Sequence, residues 1–301
     1  MKVLIVGYGS MGKRHADILS KNKCVSQIKI YTKQKKLPFK IINNKKEIIN
    51  YDPDYIVIAN STHLHFSFLY YLEKNFSGKD ILIEKPIFNK FINYSLNKNK
   101  NRVFVGYNLR FHPFMKIIKK ASKKYKLWNI IAICGSYLPS WRKDRNYSLS
   151  YSSKLNSGGV LLDLSHELDY VKWIAGNFKP LYAINKKISD LNIKSDDYLN
   201  LIAKTHNKIN IQINLSYFFR KPIRQIIIDG KDLSINADLF SNKLDIYIKG
   251  KHSKYSLKNF NNNKMYEEQH NEILNKKYKL ICTYKESKDI MKIIEKIKKI
   301  K

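Results

Sequence analysis

The sequence is poor in the residues that build disulfide scaffolds, metal sites and membrane spans. Only three cysteines occur among 301 residues, namely Cys24, Cys134 and Cys282, which are odd in number and far apart. This usage argues against a disulfide framework or a zinc site and favours a reduced, cytoplasmic protein without a metal. No run of about 18 apolar residues is present, and the opening residues lack the apolar segment and cleavage site of a signal peptide. We therefore expect no membrane partner.

Acidic residues and arginine are also scarce. The chain has 24 Asp and Glu residues and 57 Lys and Arg residues, only 7 of which are Arg. Its formal net charge is +33. A charge of this sign attracts nucleic acids, acidic membranes and phosphorylated metabolites. Sites that read phosphates and bases favour arginine forks, however. Nucleic acid is therefore the less favoured partner, and most lysines are interpreted as a solvated surface.

The first part of the chain, residues 1–118, alternates short apolar runs with helical patterns. Predicted strands cover residues 3–6, 28–31, 55–59, 81–83 and 103–105. Their continuous Val and Ile content indicates strands that are covered on both faces, which is typical of parallel sheets. Because these strands alternate with helices, they predict a doubly wound α/β domain.

The pattern changes in the second part, residues 119–301. Apolar and polar residues alternate at 199–203 and again at 209–216, on either side of a short polar turn. Alternation of this kind predicts an antiparallel hairpin with one solvated face. A turn at 229–230 leads into another alternating segment, and residues 287–301 form a basic amphipathic helix that is expected to pack on the body. The second domain is thus predicted to be α+β with an open, mainly antiparallel sheet.

A glycine motif follows the first strand. Residues 7–12 read Gly-Tyr-Gly-Ser-Met-Gly and match G-x-G-x-x-G between a strand and a helix. In this context Gly7 permits a tight turn, Gly9 lets the backbone approach a pyrophosphate, and Gly12 lets the helix pack against the strand. Free N–H groups at the start of the helix hold the anion. The motif predicts a dinucleotide site, which also includes Tyr8, Ser10 and Met11.

The acidic residue that usually binds the ribose 2′-hydroxyl is missing. No Asp or Glu occurs between Asp17 and Glu47, and the second strand is followed by Thr32 and Lys33. A hydroxyl and an ammonium suit a 2′-phosphate better than a free 2′-hydroxyl. We therefore predict NADP as the preferred cofactor, with NAD as the alternative.

Three further segments complete a recognisable set. One strand ends in Glu84-Lys85-Pro86, the segment 105–111 reads VGYNLRF, and residues 158–169 read GGVLLDLSHELD. Together with the glycine motif, and in this order, they resemble the Gfo/Idh/MocA oxidoreductase family. The resemblance implies a Rossmann dinucleotide-binding domain followed by an α+β domain for substrate binding and oligomerisation. It further implies homo-oligomers through the outer face of the second sheet, and the chain is similar to a branch linked to bacterial surface-sugar pathways.

The resemblance also implies roles for single residues. Lys85 corresponds to the lysine that contacts the nicotinamide ribose and a substrate oxygen, beside Glu84 in the cofactor site, and Pro86 to a residue that is commonly cis. His166 corresponds to the acid/base histidine and Asp163 to the carboxylate before it. Relatives usually space that pair four residues apart, whereas here the gap is three, so Asp163 either orients a substrate hydroxyl or caps the segment.

The pattern around His166 favours a catalytic role independently. On a helix that begins near Val160, apolar residues recur at intervals of three and four and predict a core-facing stripe. Asp163, His166 and Tyr170 fall on the opposite side, where a histidine beside a carboxylate is well suited to proton transfer near neutral pH. Tyr170 is a candidate substrate contact. A structural role for His166 is the alternative.

Several polar residues are candidates for either binding or structure. Asn60, Ser61, Thr62 and His65 follow a strand at its carboxyl end, where ligands bind in such sheets. They are predicted to line the cofactor, although Thr62 is equally suited to cap a helix. His15 on the first helix is interpreted as packing.

Two clusters are candidates for the substrate. Asn108 is a candidate substrate contact, and Arg110 and His112, which precede Pro113 near the domain junction, either bind substrate or brace the hinge. Trp141, Arg142, Arg145 and Tyr147 combine stacking surfaces with anion-binding forks, as a sugar that carries phosphate or a nucleotide needs. The alternative for this second cluster is an ordinary loop that packs on the body.

These observations predict an oxidoreductase that moves a hydride between a nicotinamide cofactor and a carbon bearing a hydroxyl or carbonyl group. The expected substrate is a sugar, a sugar phosphate or a nucleotide-activated sugar. Three alternatives stay open: a tetrapyrrole reductase similar to biliverdin reductases, a regulator that binds NADP(H) without turnover, and a nucleic-acid binder.

Overall fold

The computed structural model describes residues 1–97, 100–142, 144–155 and 157–300. The strands are β1 (Lys2–Val6), β2 (Gln27–Tyr31), β3 (Lys40–Ile42), β4 (Tyr55–Ile58), β5 (Asp80–Ile83), β6 (Arg102–Val105), β7 (Leu127–Gly135), β8 (Phe178–Lys186), β9 (Tyr198–Thr205), β10 (Asn210–Ser216), β11 (Ile223–Gly230), β12 (Leu233–Asp238), β13 (Lys243–Ile248), β14 (Lys251–Ser256) and β15 (Cys282–Thr283). The helices are α1 (Ser10–Leu19), α2 (Lys45–Tyr51), α3 (His65–Asn75), α4 (Pro113–Ser122), α5 (Val160–Asp163), α6 (His166–Ala175), α7 (Asn263–Leu274) and α8 (Tyr284–Lys299).

The chain divides into two compact units, and each contains one sheet. The first comprises Met1–Phe111 and Asn262–Lys288, and the second comprises His112–Asn261 and the residues from Asp289 onward. A single division after residue 118 is the expectation from the sequence, whereas the observed units are discontinuous. The reason is that α7 and β15 belong to the first unit, where β15 pairs antiparallel with β6 and extends its sheet.

The sheet of the first unit has the order β15-β6-β5-β4-β1-β2-β3, and its pairs from β6 to β3 are all parallel. β4 and β5 are buried along their whole length, as expected for strands with cover on both faces. The predicted doubly wound α/β domain is confirmed. Ligands of such sheets bind at the carboxyl ends of the strands, so the segments that follow β1, β4 and β5 are the ones that matter for function.

The sheet of the second unit has the order β14-β13-β12-β11-β7-β10-β9-β8. Its recorded pairs are antiparallel except for the parallel pair of β7 and β10. Alternate residues of β9 and β10 are buried and exposed, which confirms the predicted hairpin with one solvated face. Asp232 has a φ of 60° in the turn between β11 and β12. The predicted open, mainly antiparallel sheet is confirmed.

The segment predicted as a single helix from Val160 is two helices. The backbone leaves helical dihedral angles at Leu164, where φ is −99° and ψ is 30°, and a new helix, α6, begins at His166. Side-chain hydrogen bonds from Ser152 and Tyr217 to Asp163 anchor the end of α5 separately. The prediction of one helix with an apolar and a polar side is therefore wrong for this segment.

The last helix begins slightly earlier than the sequence pattern indicates. α8 starts at Tyr284, and its apolar side chains Ile290, Ile294 and Ile297 are buried, as the amphipathic pattern predicts. Across the described part of the chain, every helix is too short or too polar to cross a lipid bilayer.

Candidate active site

The glycine motif forms a close-packed turn after β1. The Gly7 N–H donates to the Tyr31 carbonyl oxygen at 2.9 Å, and Gly7 has a φ of +90°. A Cβ at Gly7 would lie 2.7 Å from Asn60 Cα, and one at Gly12 would lie 2.1 Å from the Gly7 carbonyl oxygen. Both positions therefore exclude any side chain, because the turn packs directly against the segment after β4 and against α1.

Gly9 differs from the other two glycines, because a Cβ there would meet no atom within 4 Å. This space lies at the start of α1, where Ser10 and Met11 form the first turn, with no side-chain cap and no acidic residue. The buried Tyr8 hydroxyl and Asn60 Oδ1 have no hydrogen-bond partner among the described residues. Open space, a helix N-terminus and the Tyr8 hydroxyl donor together fit the diphosphate of a dinucleotide, whereas Asn60 Oδ1 only accepts and suits a hydroxyl of the ligand.

The segment after β2 is tied to this turn. Gln34 donates from Nε2 to the Tyr8 carbonyl oxygen at 3.1 Å, and its backbone N–H donates to Thr32 Oγ1 at 3.3 Å. Thr32 is half-buried, whereas Lys33 is exposed. The backbone of the segment that carries Thr32 and Lys33 therefore lies next to the cradle that residues 7–12 form.

The residues after β4 have different surroundings. Ser61 is exposed, Thr62 is half-buried in a 3₁₀ turn, and no side chain caps that turn or α3. The proposed capping role of Thr62 is therefore not observed. His65 is buried, and its ring nitrogens lie 3.1 Å from the carbonyl oxygens of Asn60 and Ile87. Burial lowers its pKa. The two contacts make His65 a link between the segments after β4 and β5.

Glu84 is held from two sides at the end of β5. Its Oε1 lies 2.8 Å from Nε2 of His15, and its Oε2 accepts the backbone N–H of Lys85 at 3.3 Å. A Cβ at Gly106 would lie 2.8 Å from Glu84 Oε1, which explains the glycine in the VGYNLRF segment. The Lys85–Pro86 peptide bond is cis, as the family resemblance implies. The carboxylate therefore has a defined orientation directly before Lys85.

His15 is fully buried, as its interpretation as a packing residue predicts, but it also makes specific hydrogen bonds. Besides Glu84, it contacts His270 of α7, with Nδ1 to Nε2 at 2.9 Å, and His270 Nδ1 lies 2.8 Å from the Tyr55 hydroxyl. The sequence gives a partial indication that His15 lies near the dinucleotide site, since this residue follows Gly12 by three positions on the same helix. The sequence gives no such indication for His270, which comes from a segment 255 residues further along the chain.

Arg110 is bound by residues from near the end of the chain within the first unit. Its Nη1 lies 3.0 Å from Oε1 of Glu286 and 3.5 Å from the Leu280 carbonyl oxygen, and the side chain is fully buried. Burial disfavours ionisation of Glu286, but the Arg110 guanidinium and Thr283 outweigh it and lower the pKa of that carboxyl. Asn108 is buried in the same 3₁₀ turn. These contacts of Arg110 lie within the first unit, and its role in binding substrate or bracing the hinge stays a prediction.

In the second unit, the Asp163 carboxylate accepts hydrogen bonds from two hydroxyl groups. Its Oδ2 accepts from Ser152 Oγ at 2.5 Å and from the Tyr217 hydroxyl at 2.6 Å. Burial, and then the Asp163 charge, raise the pKa of Tyr217 well above its ordinary value, so Tyr217 stays a donor. His166 begins α6 three residues later and is 9% exposed. These bonds hold the carboxylate against the segment around Ser152.

Tyr170 does not lie on a polar side of its helix. It is fully buried, because α6 is covered on nearly all sides. Burial, followed by the charge of Glu167, raises its pKa well above the ordinary value, and its hydroxyl has no hydrogen-bond partner among the described residues. Glu167 itself pairs with Arg224, whose Nε lies 2.9 Å from Oε1. The expectation that Tyr170 lies on a polar side, opposite the core-facing stripe, is therefore corrected.

A cavity of about 480 Å³ lies beside Asp163 in the second unit. Its walls include the predicted Trp141, Arg142 and Tyr147, as well as Ser152. Ser152 thus belongs to the wall and also donates to Asp163. The sequence had also indicated Arg145, whereas Asn146 and Tyr151 are new wall residues.

The walls of the cavity are ordered by specific contacts. Trp141 packs edge-on against Tyr217, with ring centroids 5.4 Å apart, and donates from Nε1 to Ser136 Oγ at 2.7 Å. The Tyr147 hydroxyl accepts the backbone N–H of Asn192 at 3.2 Å. Since Tyr217 also binds Asp163, the aromatic wall and the Asp163–His166 segment form one connected site within this unit.

Both halves of the chain match known protein domains. Residues 1–107 match the NAD-binding Rossmann fold of the Gfo/Idh/MocA oxidoreductase family, and residues 127–298 match its C-terminal α/β domain. The chain belongs to the Gfo/Idh/MocA oxidoreductase family. The resemblance found in the sequence motifs is thereby confirmed, and so is the two-domain architecture that it implies.

The individual proteins to which this chain is similar have low sequence identity to it. Levoglucosan dehydrogenase from Pseudarthrobacter phenanthrenivorans is 30% identical over 143 residues, a match that spans 44% of this chain and only 36% of that protein. Two solved structures share the fold over nearly the whole chain. UDP-N-acetylglucosamine 3-dehydrogenase GnnA from Acidithiobacillus ferrooxidans has a TM-score of 0.80 at 16% identity, covering 100% of this chain and 97% of that one. The WlbA dehydrogenase from Bordetella pertussis, in complex with NADH and UDP-GlcNAcA, has a TM-score of 0.80 at 12% identity, covering 99% and 96%.

Proposed function

We propose that this protein is a nicotinamide-dependent oxidoreductase that transfers a hydride to or from a carbon of a sugar that carries phosphate or a nucleotide. The observation that carries the proposal is the glycine cradle with its open space at Gly9, in a chain of an oxidoreductase family. The unsatisfied Asn60 Oδ1 at the same edge of the sheet adds a polar contact for the bound dinucleotide. When bound, the nicotinamide ring supplies the hydride acceptor or donor at its C4 atom.

The protein's own residues handle the oxygen and its proton. In the direction of oxidation, the hydroxyl proton of the substrate passes to a ring nitrogen of His166, and reduction reverses this transfer. In the role that the family resemblance implies, the ammonium of Lys85 stabilises negative charge on a substrate oxygen. Asp163 is held by Ser152 and Tyr217, so its part is to orient the wall of the substrate cavity next to His166.

The cavity in the second unit supports a phosphorylated or nucleotide-activated sugar. Arg142 and Arg145 line it, and arginine forks bind phosphate oxygens through two parallel hydrogen bonds. Trp141 and Tyr147 offer ring faces and edges to a sugar or base. A volume of about 480 Å³ is sufficient for such a ligand. Two relatives of the same fold are named for, or bind, UDP-sugars, which agrees with this choice.

The segment after β2 favours NADP as the cofactor. Lys33 is exposed beside the cradle, Thr32 offers a hydroxyl, and no acidic residue lies between Asp17 and Glu47 to repel a 2′-phosphate. The solved relative WlbA binds NADH, so a direct comparison of the two nucleotides is needed. The scarcity of cysteine suits a reduced, cytoplasmic setting for this chemistry.

We further propose that the protein forms homo-oligomers through the solvent face of the second sheet. The register aligns Tyr182, Ile202, Gln212, Ile131 and Ile227 in one row across five strands. Tyr182 is 49% exposed and Ile202 is 45% exposed. A row of mainly apolar side chains on a solvent-exposed sheet face suits a second copy of the same chain.

The function is tested by binding and then by turnover. We expect NADPH to bind more tightly than NADH when each is titrated by nucleotide fluorescence. A screen of phosphorylated and nucleotide-activated sugars is then followed at the absorbance of the reduced nicotinamide. Lys85→Ala and His166→Ala are each expected to lower kcat by about 100-fold or more, whereas His206→Ala, an exposed residue of the β9–β10 turn, serves as the control.

Each alternative gives a different result in these assays. Tight NADPH binding without turnover of any sugar would favour a regulator, and reduction of biliverdin would favour a tetrapyrrole reductase. Salt-sensitive DNA or RNA binding that survives saturation with NADPH would favour a nucleic-acid binder. Unchanged kcat in both Lys85→Ala and His166→Ala would contradict the proposed roles.

A further inference from the structure

Four buried polar side chains form a continuous hydrogen-bonded chain in the first unit, which we call the Tyr55–Glu84 chain. It runs from Tyr55 of β4 to His270 of α7, to His15 of α1 and to Glu84 after β5. The three contacts measure 2.8, 2.9 and 2.8 Å. Tyr55, His270 and His15 are fully buried, and Glu84 is 7% exposed. Buried polar groups at this density need a consistent arrangement of protons.

One arrangement satisfies every member of the chain. An ionised carboxylate only accepts hydrogen bonds, so His15 donates its Nε2–H to Glu84 and accepts at Nδ1. His270 then donates its Nε2–H to His15 and accepts the Tyr55 hydroxyl proton at Nδ1. Burial lowers the pKa of His270 well below its ordinary value and raises that of Tyr55 well above it, so both stay in the neutral forms that this order requires.

The chain ends at the residue directly before Lys85. With Oε1 held by His15, the second carboxylate oxygen accepts the Lys85 backbone N–H at 3.3 Å. On the other side of Pro86, His65 binds the Ile87 carbonyl oxygen at 3.1 Å. His65 thus binds the backbone after Lys85 directly, whereas His15 acts on the Lys85 backbone through the Glu84 carboxylate.

The geometry favours orientation over proton conduction. A route for protons needs an outlet to solvent, and the far end of the chain is a phenol with no solvent exposure. What the chain can do is fix the tautomer of each imidazole, because each ring nitrogen faces a partner with a defined role.

We propose that Tyr55, His270 and His15 are positioning residues for Lys85, because they orient the Glu84 carboxylate that binds its backbone. The proposal rests on the proposed function, in which Lys85 contacts the substrate oxygen. It also gives α7, which returns to the first unit from late in the chain, a part in the cofactor-binding unit.

The test removes one hydroxyl. Tyr55→Phe keeps the ring and deletes the first donor, and Tyr51→Phe is the matched control, since its hydroxyl is also buried but bonds to the Val3 and Gln27 carbonyl oxygens. We expect Tyr55→Phe to lower kcat about three- to tenfold and to leave the NADPH dissociation constant within twofold, whereas Tyr51→Phe changes neither. His270→Gln is expected to lower kcat further.

A second readout needs neither cofactor nor substrate. Nitrogen-15 NMR of histidine-labelled protein should show His15 and His270 as Nε2–H tautomers, and Tyr55→Phe should shift the His270 Nδ1 resonance and the Lys85 amide resonance. An Nδ1–H or doubly protonated His15 in the wild type would overturn the proposal, as would equal losses of kcat in Tyr55→Phe and Tyr51→Phe. If no sugar is turned over, the proposed function fails separately, and the NMR result decides the arrangement of the chain.

Discussion

At the scale of single residues, three glycines of one motif perform different tasks. A Cβ at Gly12 would strike the Gly7 carbonyl oxygen, whereas a Cβ at Gly9 would meet only open space. Gly9 has a φ of −75°, so alanine fits its backbone without strain. The empty space at Gly9 is therefore kept for the ligand, while Gly7 and Gly12 serve the packing of the turn.

We therefore expect one added methyl group to weaken cofactor binding at Gly9 and to lower the free energy of unfolding at Gly12. Gly9→Ala should weaken NADPH binding about ten- to hundredfold, since the methyl group displaces a diphosphate that accepts charge-assisted hydrogen bonds. Its free energy of unfolding should change by less than about 0.5 kcal/mol. Gly12→Ala should lower the free energy of unfolding by about 1–3 kcal/mol.

Nucleotide fluorescence titration and urea unfolding with a far-UV readout measure the two quantities on the same preparations. Undiminished NADPH affinity in Gly9→Ala would mean that the dinucleotide does not lie on this turn.

At the scale of an element, α4 begins with a titratable cap. His112 accepts the Phe114 N–H at Nδ1 (3.2 Å) and faces Asn242 Oδ1 with Nε2 (3.1 Å), which requires the neutral Nε2–H tautomer. Burial lowers the pKa of His112 below the ordinary 6.5, and Arg224 and Lys116 add to this, although the Asn242 hydrogen bond opposes it. Protonation at Nδ1 would remove the acceptor of the cap.

The pH dependence follows from this direction. The folded pKa lies below the unfolded one, so the contribution of His112 is fully present above about pH 6.5 and falls as the pH drops toward the folded pKa. His112→Ser keeps an N-cap oxygen without a titratable ring. It should reduce the slope of unfolding free energy against pH between about 7.5 and 5.5 by up to about 1 kcal/mol per unit.

Urea unfolding at a series of pH values measures this slope. His206→Gln removes an exposed histidine and should leave it unchanged. A slope that is the same in His112→Ser and the wild type would show that the cap does not titrate in this range.

At the scale of the whole molecule, we propose that copies of the chain assemble through the solvent-exposed face of the second sheet. We expect light scattering to give the mass of a multimer for the wild type. Ile202→Lys places a charge within the apolar row and should shift the mass toward a monomer, because an unpaired charge is costly to bury in an interface. Ile188→Lys changes an isoleucine that is 56% exposed outside the strands and should leave the mass unchanged. A monomeric wild type would refute the proposed assembly.

Local patterns in the sequence determined much of this protein. The continuous apolar runs of β1, β4 and β5, the alternation of β9 and β10, and the glycine spacing in residues 7–12 each predict the observed element. Their physical basis is short-range, since burial on one or two faces and the backbone freedom of glycine are read from neighbouring residues. The family motifs then placed these elements in two domains, and the family is confirmed.

Contacts between distant segments were decided only by the tertiary structure. His15 meets His270 across 255 residues, Arg110 meets Glu286 across 176, and Asp163 is bound by Tyr217 across 54. A periodic pattern contains no information on which segments will cover a helix. For this reason the sequence predicted a polar side for Tyr170 and did not predict the partners of His15. A side chain's partner depends on how separate elements pack, and this is why the Arg110–Glu286 pair, the broken helix and the Tyr55–Glu84 chain emerge only from the folded molecule.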